Sequence, residues 1–353
     1  MNGVLGVLER YGLVVLFVVV CLFFTVHPDT PQFATGDNIK AVLSNESIVG
    51  IIALATVFPL VAGQFDLSIG PQTGLVSLIC AGLMSRNGLP LAPSILLGIL
   101  VGVGFGIVNG VLVTRVGINS IVTTLGMTSI IAAIVDAYTS GESIVTGISP
   151  KLTDVGTTQW LGVPAPVFFL AAVALLSWYL LEHTPWGRSL QATGSNPRAA
   201  EIVGLPVPRM VFGSFIVAGA LGGVAGVLLL GVAGSAGPSA GPGYLLPALA
   251  AALLGGTTIQ PGRYNVLGTL VAVYFLAVMV SGLTFMGAAS WVSDAFNGAA
   301  LIVAVGISVW SGKRRRAIAG AVPRNEPPQP PESERAEVAA TPHEDVAGRA
   351  SRV

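Results

Sequence analysis

Long apolar stretches separated by short polar connections dominate the chain. Near-continuous runs of Val, Leu, Ile, Ala and Gly fall at about 12–26, 47–62, 66–84, 91–113, 121–138, 165–181, 210–231, 244–257, 265–283 and 296–311. Each approaches the roughly 20 apolar residues a helix needs to cross a bilayer. The pattern therefore predicts an all-α, polytopic membrane bundle of about ten transmembrane helices over residues 1–316. The first run, with Arg10 ahead of it, has the outline of a secretory signal, but no small-residue cleavage site follows cleanly and nine runs come after it. It reads as a retained helix.

Composition agrees with the pattern. The 353 residues are 53% hydrophobic and only 10% charged, against about 25% charged in soluble domains. Cys21 and Cys80 both lie in apolar runs and make no disulfide framework.

Charge adds an orientation. With ten crossings and the N-terminus inside, the cytoplasmic connections hold ten basic residues (Arg10, Arg115, Arg188, Arg198, Arg209, Arg263 and Lys313 to Arg316) and the other face holds three, Lys40, Arg86 and Lys151. Positively charged connections stay in the cytoplasm, so both termini are expected there, in a multi-pass protein of the cell membrane. After "KRRR" the composition turns to Pro, Glu and Ala. Residues 317–353 cannot bury enough apolar surface to offset their ordering entropy, which predicts a disordered cytoplasmic tail.

The chain also resembles itself. "VAGQFDLSIGP" at 61–71 and "VAGSAGPSAGP" at 232–242 share Val, Ala, Gly, Ser, Gly and Pro at an offset of 171 residues, although a chain with 45 Gly can produce such a match by composition alone. If the repeat is genuine, five crossings separate its copies and invert it. Inverted repeats interrupted by Gly and Pro point to a transport site near their axis, and irregular backbone at membrane depth is tolerated only where it is buried in protein or lines a cavity.

Two readings of Asp66 follow. As a helix cap it accepts hydrogen bonds from amides that lack partners in the first turn. As part of a polar path, Gln64, Asp66 and Ser68 face Ser235 and Ser239 across the axis, and Asn109, Thr123 and Thr124 are further polar residues that suit a neutral hydroxylated solute. The two are compatible.

Between the halves lies a long polar connection, about 182–209. Asn196 can cap a helix there, Pro197 suits its first position, Ala199, Ala200 and Glu201 favour it, and Gly204 with Pro206 can end it. Such a helix is either a lever for a partner or an interfacial helix packed on its own bundle.

The same stretch, "TPWGRSLQATGSNPRAAEIVGLPV", resembles the signature of the ribose-type permeases of ATP-binding cassette importers, through Thr184, Trp186, Gly187, Arg188, Ala192, Gly194, Asn196, Ala199, Ala200 and Gly204. "FDLSIG" at 65–70, "GIVNGVLV" at 106–113, "IVTTLGM" at 121–127, "LLGGTTI" at 253–259 and "VLGT" at 266–269 are similar to further elements of that family, in order, from about residue 47 to 311. Asn119-Ser120 and Pro261-Gly262-Arg263-Tyr264 depart from its usual pattern.

The resemblance implies a permease subunit whose central connection docks into a separate ATPase subunit. That ATPase would carry the ATP and Mg, an extracytoplasmic binding protein would deliver the solute, and a second permease subunit would pair with this one. The solute would be a small polar molecule, most often a monosaccharide. The residues themselves agree as far as they go. No G-x-x-x-x-G-K-[ST] occurs, so no cofactor is expected on this chain; no metal-ligand cluster or catalytic set is apparent, and nothing points to nucleic acid. An ion-coupled secondary carrier is the alternative. It normally places ionisable residues within its spans, and here Asp66 and Asp136 fall at span ends and Asp294 in a connection. An intramembrane hydrolase would need a buried nucleophile with a partner, and none is evident.

Overall fold

The computed structural model describes residues 2–321, with side chains over 10–306. Helices α1 (Asn2–Val26), α2 (Gly36–Val61), α3 (Ile69–Ser85), α4 (Leu91–Val111), α5 (Ser120–Thr139) and α6 (Pro150–Thr157) come first. A small hairpin, β1 (Gln159–Trp160) with β2 (Val163–Pro164), leads into α7 (Ala165–Trp178). Then come α8 (Pro185–Ser195), α9 (Pro197–Ile202), α10 (Val207–Ala233), α11 (Leu245–Gly255), α12 (Val266–Phe285) and α13 (Trp291–Ala321). The packed body ends at Trp310. Helix α13 runs on to Ala321, five residues into the tail expected over 317–353, and the rest of that tail, 322–353, lies outside the described residues.

Six helices among the described residues are long and apolar enough to cross a membrane: Gly36–Val61, Leu91–Val116, Ser120–Thr139, Ala165–His183, Val207–Ala233 and Val266–Phe285. Four shorter apolar helices, Arg10–Val26, Ile69–Ser85, Pro242–Gly255 and Trp291–Gly306, occupy the other apolar runs. The architecture is thus a polytopic helical membrane bundle. Two of the long helices, α4 and α7, finish in a π turn, Leu112–Val116 and Tyr179–His183.

Helix α2 starts eleven residues before the apolar run at 47–62 because Thr35 caps it, its hydroxyl accepting the Asn38 amide at 3.4 Å, with Asp37 in the positive first turn. The polar segment Ser44–Ser47 is therefore helical.

Close approach of backbones holds the centre. Helix α10 packs on α2, α3 and α4, and its Gly219 and Gly223 meet Gly102 and Gly106 of α4, leaving no room for side chains between them. The Gln72 amide of α3 bridges the same seam, donating to the carbonyls of Gly102 at 3.2 Å and Gly219 at 2.9 Å.

Contacts define two ends of the bundle. At one end, Arg10 pairs with Ile259 through a side-chain bond of 2.9 Å and a backbone bond of 2.8 Å, Arg263 contacts Gln191 of α8, and Gly194 of α8 lies on Val61 and Gly63 after α2. We refer to this as the loop end. At the opposite end, Ile144 and Ala236 exchange backbone hydrogen bonds of 2.8 and 3.0 Å, and Arg86 donates to the Tyr138 carbonyl at 2.9 Å with its guanidinium over that ring.

The two self-similar stretches are both breaks in the helices, and they enter from different ends. Residues 62–68 leave α2 at the loop end; residues 234–241 leave α10 at the opposite end. They converge where α3 and α11 begin. A Cβ on Gly70 would stand 2.9 Å from Leu245, and one on Gly74 would stand 2.6 Å from Gly241. From that contact α3 runs 17 residues to the opposite end and α11 runs 11 residues to the loop end.

Candidate functional site

Two polar groupings stand out, one in the first break and one on the connection at 182–209. In the first break several backbone groups find partners, as buried backbone requires. The Gln64 amide donates to the Pro59 carbonyl at 2.8 Å, the Phe65 amide to the Ser120 hydroxyl at 3.2 Å, and Thr128 donates to the Leu67 carbonyl at 3.2 Å. Asp66 is 1% exposed. Its Oδ1 accepts from the Ser68 amide at 3.0 Å and the Ser68 hydroxyl at 2.6 Å. Asn109 of α4 closes the chain by donating to that hydroxyl oxygen at 2.9 Å.

The carboxylate thus holds the residue that precedes α3 rather than the amides of its first turn. The side chain of Ser68 makes no cap bond of its own. Asp66 Oδ2 and Asn109 Oδ1 are buried without a partner, and so is the Thr123 hydroxyl. Thr124 bonds back to Ser120 of its own helix at 2.8 Å, and Gln64 is half-buried at the mouth of the break. Ser235 and exposed Ser239 lie in the second break, which begins at the opposite end. The structure therefore brings Asp66, Ser68 and Asn109 together and leaves Ser235 and Ser239 out of that group.

The connection at 182–209 folds into α8 and α9 in the way its residues suggest. The Thr184 hydroxyl caps α8, accepting the Gly187 amide at 3.0 Å while donating to the Leu180 carbonyl at 2.6 Å. Asn196 caps α9 by accepting the Ala199 amide at 3.1 Å, Pro197 opens it, and Gly204 ends it at φ +84°, a conformation that favours glycine. Trp186 packs on Phe58 of α2 with ring centroids 6.0 Å apart.

Gly187 and Gly194 sit where a Cβ would run into backbone, against Leu180 and Leu181 in one case and Val61 in the other. Ala200 is buried, whereas Arg188, Ala199 and Glu201 are exposed. Beside them, Ile202 and Val203 are 86% and 75% exposed. The loop end therefore carries a stiff, twice-capped helical pair seated on the end of α2, with an apolar tip facing outward.

One residue escaped the sequence reading. The apolar run begins at 47 and leaves Glu46 just outside it, but Glu46 lies in α2, ten residues after the helix starts, and is half-buried. The Thr35 cap and Asp37 were the only signals that would have carried the helix back across it. Groups of three or more side chains able to hold a metal are absent among the described residues.

Comparison with known proteins gives these elements a family. The model of the family "Branched-chain amino acid transport system / permease component" matches residues 38–305. The chain is 30% identical over 301 residues to the ribose import permease protein RbsC of Haemophilus influenzae, covering 84% of this chain and 92% of that one. It is 32% identical over 302 residues to RbsC of Bacillus subtilis, with 85% and 92% covered. It is 31% identical over 307 residues to the autoinducer 2 import system permease protein LsrD of Photorhabdus laumondii, with 84% and 91% covered. No solved structure matches the chain. Both breaks, the capped pair α8–α9 and the glycine seam fall within the matched residues, and the chain belongs to this family of transport-system permease components.

Proposed function

We propose that this chain forms the membrane path of an ATP-binding cassette importer for a small hydroxylated solute, with a monosaccharide as the solute class supported best. The observation that carries the reading is α8–α9. Two caps, two glycines in forced contact and the Trp186–Phe58 contact make this pair a rigid body seated on α2, which is what a part that passes on a partner's movement needs. Its apolar tip at Ile202 and Val203 suits burial against a partner ATPase, where ATP and Mg would be bound. Thr184, Trp186, Gly187, Gly194, Asn196 and Gly204 shape the pair, and Arg188, Ala199 and Glu201 would face the ATPase.

The ribose and autoinducer 2 importers named among the relatives support the solute class. The charge distribution supports a loop end in the cytoplasm, with both termini there, an extracytoplasmic binding protein meeting the opposite end, and a second permease subunit alongside. Two breaks entering from different ends support ten crossings in two inverted halves. Asp66, Ser68 and Asn109 would fix the first break beside the path.

The ion-coupled carrier has one residue in its favour, Glu46, an ionisable group inside a long apolar helix. Family membership weighs against it. The deciding experiment reconstitutes the permease with its ATPase and binding protein in proteoliposomes and measures uptake of a monosaccharide panel. ATP-dependent uptake that survives collapse of proton and sodium gradients is expected. Uptake that follows an ion gradient without ATP would overturn the reading.

A further inference from the structure

Away from the two groupings above, α2, α11, α12 and α13 line a half-open cavity of about 270 Å³. Three polar side chains line it: Glu46 of α2, Tyr244 at the turn into α11, and Asn297 of α13. The rest of its wall is apolar and includes Val273, Leu276 and Ala277 of α12. The cavity lies deep along the bundle. Glu46 is about 15 Å from the start of α2 at 1.5 Å per residue, and Tyr244 is where the second break ends and α11 begins.

A carboxylate at such depth is costly unless something offsets it. No basic side chain pairs with Glu46 among the described residues, and no hydrogen bond from protein satisfies it there; the one ion pair found is that of His27 with Asp29. Val49, one turn along the same face of α2, shares the cavity wall, so the helix directs Glu46 toward this space. A bare acceptor with two oxygens, an amide that both donates and accepts, and a phenol thus converge on one chamber.

We infer that this cavity is a solute subsite inside each permease chain, in which Glu46 and Asn297 hold adjacent hydroxyls of a monosaccharide. The inference rests on the importer reading proposed above and adds the place where the solute is held. A carboxyl group presents two oxygens to neighbouring hydroxyls at once. Asn297 donates to a ring or hydroxyl oxygen, and the α12 wall packs on the C–H face of the sugar ring. Size agrees: pockets for drug-sized ligands span roughly 300–1,000 Å³, and this one, at the small end, suits a single sugar ring. Because every lining residue belongs to one chain, each subunit of a pair would carry its own.

The test uses the reconstituted complex of permease, ATPase and binding protein, with the best-transported sugar of a panel of D-ribose, D-xylose, D-galactose and D-fructose. Glu46→Ala and Asn297→Ala are each expected to raise the sugar concentration for half-maximal uptake about tenfold, the loss of a charged or paired hydrogen bond; Glu46→Gln, which keeps an acceptor, should raise it less. A second measurement labels Ala277→Cys with a methanethiosulfonate reagent, after Cys21 and Cys80 are replaced by Ala. The sugar should slow this labelling in the Glu46 background and not in Glu46→Ala. Unchanged half-saturation in Glu46→Ala, no labelling of position 277, or labelling indifferent to sugar would overturn the subsite while leaving the importer reading intact. Wild-type complex that carries no sugar of the panel overturns the proposed solute instead.

Discussion

Asp66 and Ser68 are joined twice, the carboxylate Oδ1 accepting from the Ser68 amide at 3.0 Å and from its hydroxyl at 2.6 Å. Neither bond requires a charge on the acceptor. An amide oxygen in the same position accepts both, and a methyl group accepts neither. Asp66→Asn is expected to keep substantial ATP-dependent uptake and near-native thermal unfolding, while Asp66→Ala loses about 1–3 kcal/mol through the stranded buried groups and most of its uptake. Unfolding scans and uptake on the same preparations check this. If Asn fails as badly as Ala, the site needs an ionised carboxylate, and the ion-coupled carrier returns.

Neighbouring residues of α9 should respond differently to the same change. Ala199 is exposed and Ala200 is 3% exposed. Ala199→Glu is expected to leave the folded protein unchanged and to reduce coupling to the ATPase, whereas Ala200→Glu buries a charge and destabilises the loop by several kcal/mol. Membrane abundance, co-purification of the ATPase and uptake separate the two. Equal abundance and wild-type uptake for Ala199→Glu would remove this face from the mechanism.

At Gly194 the neighbours are backbone and cannot step aside. A Cβ there would overlap the Val61 carbonyl and stand 3.1 Å from the Gly63 amide. Gly194→Ala is expected to cost about 1–3 kcal/mol of overpacking, paid as loosened docking of α8 on α2. Limited proteolysis reports it: cleavage within 182–209 should accelerate, with uptake falling in parallel. Undisturbed proteolysis would mean that the close approach is not maintained in solution.

Orientation is checked by single cysteines at Ser195 in the connection and at Thr157 at the end of α6, both exposed. A membrane-impermeant maleimide is expected to label position 157 from outside intact cells and position 195 only after permeabilisation. Labelling of both from one side would break the ten-crossing, inverted arrangement.

Much of this architecture could be read from the residues, and the omissions have a common cause. Every apolar run coincides with a helix, six of them long and apolar enough to cross a membrane, since the hydrophobicity of each is carried by its own residues. The caps at Thr184 and Asn196, with Pro197 and Gly204, were legible because capping is local. What stayed hidden depends on distant neighbours. Gly70 meets Leu245 and Gly74 meets Gly241 across more than 160 residues. The separation of Ser235 and Ser239 from Asp66 follows from the end at which each break enters. Glu46 was missed because Ser44, Asn45, Glu46 and Ser47 together look like a connection, and only partners on α11, α12 and α13 show that a charged turn of helix is facing a chamber.

Consider finally the contact from which α3 and α11 depart. Because the two helices leave it toward opposite ends of the bundle, it has the geometry of a seesaw's fulcrum. In an importer of the kind proposed, a tilt about Gly70 and Leu245 would carry the far ends of α3 and α11 in opposite senses, so that one side closes as the other opens. A side chain at Gly70, Gly74 or Gly241 would jam that contact against Leu245 or the facing backbone.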